Sequence, residues 1–241
     1  MANDDNPIPR RNFLVGAGTA VAASLASSSA EAQTTAPAAS AASASATAGT
    51  AEGILTLTPT EQAFFAAAVD TFIPADEFSP SGSDCGLVVF IDRQLAGAWG
   101  SGAKMYRSGP FQKGKPEQGY QLPLTPRQFF AAGIAAANEW SRKSYGKDFD
   151  RLAPKEREAA LKVLESGKAE LPEFNGKQFF EALLTITMEG FFADPIYGGN
   201  RNKAGWKMVG YPGLPAVYNN LIDEYRNKRY SVEPQSIADF S

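Results

Sequence analysis

Apolar residues recur at helical spacing through most of the chain after residue 53, and three of these stretches open on one polar signature. In "LTPTEQAFFAAAVDTFIP" Thr58 stands at the N-cap, Pro59 at the first helical position and Glu61 three residues after the cap. In "LTPRQFFAAGIAAANEWSRKSYG" Thr125, Pro126 and Gln128 repeat the arrangement. In "LAPKEREAALKVLESG" Ala153, Pro154 and Glu156 do so without the capping hydroxyl. A threonine with Glu or Gln three residues on forms a reciprocal capping box, and the fixed φ of proline suits the first turn. The leucine before each cap is placed for a hydrophobic staple. Along the first stretch Phe64, Phe65, Ala68, Phe72 and Ile73 keep the helical period until Pro74 stops it. A further helix is predicted from Asp84 through "CGLVVFIDRQLAGAW", because the run "LVVFI" continues at helical spacing. Another spans Asn175–Ala193, with Phe179, Leu183, Ile186 and Phe191 inward. Gly146, Gly167 and Gly190 are expected near helix ends, where glycine closes the last turn. No alternating strand pair with a hairpin turn and no repeat stands out. The pattern predicts an all-α fold, a single domain of five or six helices with long Gly/Pro-rich connections.

The first 52 residues read differently. "PRRNFLVGAGTAVAASLA" (Pro9–Ala26) sets Arg10 and Arg11 before Phe13 and Leu14 and a short apolar run, and resembles a twin-arginine export signal. That run is shorter than the roughly 20 residues that span a bilayer. Ala30-Glu31-Ala32 offers a cleavage site, so residues 1–32 are expected to be a signal peptide. A retained membrane anchor is the alternative. Residues 33–52 are Ala-, Ser- and Thr-rich and expected to be a linker too poor in apolar surface to fold. Residues 53–241 form the expected helical domain. Cleavage would remove two arginines and Asp4, Asp5 and Glu31, so 23 basic and 26 acidic residues become 21 and 23. A net charge this near zero gives no field for nucleic acid.

Absences narrow the chemistry further. The chain has no histidine and one cysteine, Cys85. That removes His-dependent triads, the common His/Cys zinc sites, C-x-x-C-H haem attachment and cysteine-ligated iron–sulfur clusters. Cys85, at a predicted helix start beside "SPSGSD", is either a buried small apolar residue or an intersubunit disulfide partner. Among the scattered acids, Glu181 and Glu189 lie two turns apart on one helix and Asp194 follows it, which leaves a carboxylate enzyme as one alternative. The expected role of the two glutamates is a solvated helix face.

One passage stands apart: "DPIYGGNRNKAGWKMVGYPG", Asp194–Gly213, dense in glycine, aromatic and basic residues. Its "GGNRNKAG" lacks the Walker and dinucleotide spacings and follows a helix rather than a strand, which argues against a phosphate loop. Tyr197, Trp206 and Tyr211 either anchor a partner, form a stacking platform for a sugar or quinone, or fold back onto the chain's own core. Gly198, Gly199, Asn200 and Arg201 complete the candidate partner-binding set: glycines for an irregular backbone, Asn200 and Arg201 for directional hydrogen bonds.

"LTPTEQAFFAAAVDTFIPAD", "GLVVFIDRQLAG" and "FFEALLTITMEGFFADPIYGGNRNKAGWKMVGYPG", with the twin-arginine leader, resemble the small (gamma) subunit of membrane-bound gluconate 2-dehydrogenase, the subunit 3 family. The resemblance runs from about Leu55 to Tyr218. It implies a three-chain periplasmic complex, peripheral to the inner membrane. A flavoprotein of the glucose–methanol–choline class would hold FAD and oxidise the sugar acid, and a multihaem cytochrome c would pass electrons on. The small subunit would carry no cofactor and no catalytic residue, and would assist export, maturation and stability of the flavoprotein.

Overall fold

Three helices begin where their caps predict. In the computed structural model, which describes residues 53–240 apart from 113, 116, 117, 172 and 173, α1 spans Pro59–Phe72, α3 Pro126–Tyr145 and α4 Pro154–Glu165. Thr58 Oγ1 accepts from Glu61 N at 3.3 Å while Glu61 Oε2 accepts from Thr58 N at 2.8 Å. Thr125 and Gln128 make the same exchange at 3.3 and 2.9 Å. Ala153 has no hydroxyl, so only the return bond forms, from Ala153 N to Glu156 Oε2 at 2.9 Å.

Helix α2, Leu87–Ala96, starts three residues later than its apolar pattern predicts. Gly86 takes φ 81°, and the residues before it close successive turns instead of the first helical turn. Helix α5, Gly176–Phe192, is capped by Asn175, whose Oδ1 accepts from Gln178 N at 3.1 Å. Two short helices follow, α6 (Ala204–Val209) and α7 (Ile222–Tyr225). A small antiparallel pair, β1 (Glu170–Leu171) and β2 (Phe174–Asn175), sets Glu170 opposite Asn175 and Leu171 opposite Phe174. At two residues each, these strands are too short to show alternation, and the fold remains all-α.

Phenylalanines bind the helices into one core. Phe64 of α1 lies 4.8 Å from Phe149 and 6.0 Å from Phe179 of α5, centroid to centroid. Phe65 meets Phe130 of α3 at 5.7 Å. Such ring pairs add about 0.5–1.5 kcal/mol each beyond the area they bury. Gly146 and Gly167 are left-handed just past α3 and α4, as expected. Gly190 is not a cap. It lies buried inside α5, where an added Cβ would come within 2.7 Å of the Phe90 ring, so it sets how closely α2 crosses α5.

Polar groups pin the entry of the chain into this core. The buried Asp92 carboxylate accepts from Leu55 N, Thr56 N and Leu57 N at 2.6, 2.9 and 2.9 Å. Arg127 at the start of α3 donates to both Glu61 oxygens at 2.7 Å and to Thr56 O at 3.1 Å. No helix of the described residues is long and apolar enough to cross a membrane. The leader residues Arg10, Arg11, Phe13 and Leu14 lie outside the described residues.

Candidate functional site

Leaving α5, the chain enters the glycine-rich passage and is fastened at nearly every step. Asp194 caps the 3-10 turn Pro195–Tyr197, accepting from Ile196 N at 3.0 Å, and its other oxygen accepts from Ile237 N at 2.9 Å. Asn200 follows in the left-handed region (φ 47°), which asparagine tolerates better than most residues. It is fully buried. Its Nδ2 donates to Ala193 O at 2.8 Å and its Oδ1 accepts from Gly205 N at 2.9 Å, tying both ends of a tight loop together. Gly199 and Gly205 allow that loop to lie against α5. An added Cβ would come 2.4 Å from Gly190 O at the first and 2.3 Å from Phe191 O at the second.

The far half of the passage is held by the end of the chain. Lys203 Nζ donates to Pro234 O at 2.8 Å and to Asp239 Oδ2 at 2.6 Å. Asp239 also accepts from Ser236 N and Oγ; with the Lys203 hydrogen bond foremost, its carboxyl falls to about 2. Leu214 N donates to Gln235 O at 2.8 Å and Gln235 N to Pro212 O at 3.1 Å, a parallel bridge across Gly213. Trp206 Nε1 donates to Phe192 O at 2.8 Å, and the Tyr211 ring meets its indole edge-on at 5.2 Å.

The structure thus divides the candidate partner-binding residues. Gly198, Gly199, Asn200 and Trp206 face inward and serve the fold. Tyr197 and Tyr211 are exposed, at 50 % and 41 %, as are Ile196, Met208 and Val209 of the same passage. Arg201 is exposed, and its backbone N–H donates to Cys85 O at 3.0 Å. With Trp206 turned inward, the three aromatics do not share an open stacking face. The passage does not cradle phosphate either, since Arg201 N, Lys203 N and Gly205 N donate to Cys85 O, Asn200 O and Asn200 Oδ1.

Cys85 takes the first of its two expected roles, a buried small apolar residue, and the two glutamates keep their solvated face. The exposure that an intersubunit disulfide requires is lacking at Cys85, which is 1 % exposed with Sγ 3.6 Å from Pro80 O. The turns before Gly86 fold the thiol under the helix start, and burial, reinforced by Asp84, pushes its pKa up. Glu181 and Glu189 are both exposed, as expected of a solvated helix face. Both line a cavity of about 290 Å³ between α5 and the aromatic residues Trp99, Tyr120, Phe129 and Phe130. Eight residues of helix separate the two by roughly 12 Å along its axis. Asp194 stands apart from them as a cap. Among the described residues no cluster of three His, Cys, Asp or Glu side chains could hold a metal.

Residues 59–213 match the family model of gluconate 2-dehydrogenase subunit 3, from the first residue of α1 to the last glycine of the passage. The chain belongs to that family. No curated protein and no solved structure matches it. The subunit 3 match covers all five long helices and the whole passage, while the terminal segment that straps the passage, Pro234–Asp239, lies beyond it. The cavity was missed from sequence because Trp99 and Tyr120 come from connections far from α5. The one available signal was the placement of Glu181 and Glu189 on the same side of that helix.

Proposed function

We propose that this chain is the non-catalytic small subunit of a periplasmic FAD-dependent dehydrogenase complex acting on gluconate or a related sugar. In that role it assists export, maturation and stability of the flavoprotein. The observation that carries the reading is the passage itself. A segment inside the family match is immobilised by its own polar groups, and it turns Ile196, Tyr197, Met208, Val209 and Tyr211 outward. Large apolar side chains on a preorganised backbone lose little entropy on docking and are the residues that interfaces use as anchors. Haem c belongs to a cytochrome partner, because a chain without histidine and with one cysteine offers no C-x-x-C-H attachment site, and FAD goes with the flavoprotein partner as part of the same subunit reading. The twin-arginine leader serves a folded assembly, which that route carries across the membrane, and membrane association comes only through the complex.

Replacing Tyr197 and Val209 with serine tests the docking surface. Neither side chain makes a hydrogen bond in the fold, and each is at least half exposed. The double variant is expected to melt within about 2 °C of the wild type, as surface changes usually do. Co-purified flavoprotein should fall at least tenfold. Unchanged recovery of the flavoprotein would remove the passage from the interface.

A further inference from the structure

The cavity beside α5 is distinct from the passage and has an electrostatic character of its own. Phe129 and Phe130 line it from α3, Trp99 and Tyr120 from the connections, and Glu181 and Glu189 from α5. Tyr120 stacks on Phe129 at 4.0 Å with planes 10° apart, and Trp99 leans on Phe130 at 6.4 Å. Trp99 nevertheless stays 47 % exposed, a large ring left open at the mouth. Aromatic faces carry negative potential, and carboxylates beside them add to it; the remaining polar side chains of the lining, Gln178 and Thr185, are neutral, so the charged features of the site favour a cation. Among the described residues Glu181 pairs only with Lys177, at a loose 3.9 Å. Glu189 is solvent-exposed and pairs with no lysine or arginine among the described residues, and desolvation on the groove side alone pushes its carboxyl upward. At about 290 Å³ the cavity sits at the lower edge of small-molecule sites, which run from about 300 to 1,000 Å³. A sugar acid would be repelled by the two carboxylates, and a flavin nucleotide exceeds the space.

We infer that this cavity receives one basic side chain, arginine or lysine, from a segment of a partner subunit, its stem against Trp99 and Tyr120 and its charge at Glu189, with Glu181 adding to the negative field from farther along α5. The inference rests on the reading of this chain as a subunit, but its chemistry is testable without a partner. N-acetyl-arginine amide is titrated into the full chain while the Trp99 indole N–H resonance is followed, assigned through Trp99→Phe. A saturable shift is expected with arginine, none with N-acetyl-citrulline amide or gluconate, and at least tenfold weaker binding in a folded Glu181→Gln/Glu189→Gln variant. No shift, an equal response to citrulline, or unchanged binding in the double variant would each overturn the proposal.

A second arm co-expresses the partner flavoprotein and cytochrome with wild type or the double variant. Reduced recovery of a partner with the double variant supports the cavity as an interface. Equal recovery with both overturns it and leaves the subunit reading standing. No recovery even with wild type overturns the subunit reading, and with it the partner as donor of the side chain.

Discussion

Asn200→Ala is expected to destabilise the subunit by at least about 3 kcal/mol. The substitution strips a buried acceptor from Gly205 N and a buried donor from Ala193 O, and each orphaned group costs about 1–3 kcal/mol. It also places alanine in a left-handed conformation, which adds about 1–2 kcal/mol. Asn200→Gly removes the conformational cost but not the two lost bonds, so it should recover about 1 kcal/mol of the difference. Urea denaturation of the three proteins checks the order wild type, glycine, alanine. An alanine variant within 1 kcal/mol of wild type would show that the loop is held elsewhere.

Glu61→Ala should cost about 3 kcal/mol, for a different reason. One carboxylate completes the α1 capping box and takes both prongs of Arg127, which joins α1, α3 and the incoming strand of residues at Thr56. Removing one partner of such a pair leaves the guanidinium, 23 % exposed, without its counter-charge. The same group predicts an acid dependence. Burial pushes the Glu61 carboxyl up, but hydrogen bonds from Arg127 and Thr58 outweigh it, and the pKa lies below its ordinary 4.5. A depressed carboxyl stabilises the fold fully above its unfolded pKa and ceases to do so as pH falls through its folded pKa. The stability gap between wild type and Glu61→Gln should therefore be constant from pH 6 to 8 and narrow below about 4.5. A gap that widens on acidification would contradict this sign.

Helix starts were legible because their signals are local: Thr58, Thr125 and Glu156 act on backbone groups within one turn. The inward phenylalanines of α1 and α5 were legible because periodicity records which face is buried. What escaped depends on approach between distant segments. Gly190 reads as a helix end until Phe90 is seen beside it. Trp206 reads as an interface anchor until its indole is found on Phe192 O. Asn200 reads as a loop donor, although Asn beside paired glycines already hinted at left-handed backbone, which asparagine tolerates. The strap from Lys203 to Asp239 joins residues 36 apart, and no spacing rule marks it.

The central claim is that this chain carries a flavoprotein out of the cytoplasm and supports it afterwards. It is tested most directly by replacing Arg10 and Arg11 with lysine in the chromosomal copy and measuring flavoprotein in periplasmic and cytoplasmic fractions. The account predicts that the flavoprotein accumulates folded in the cytoplasm and nearly disappears from the periplasm. Normal export of the flavoprotein from those cells would contradict it.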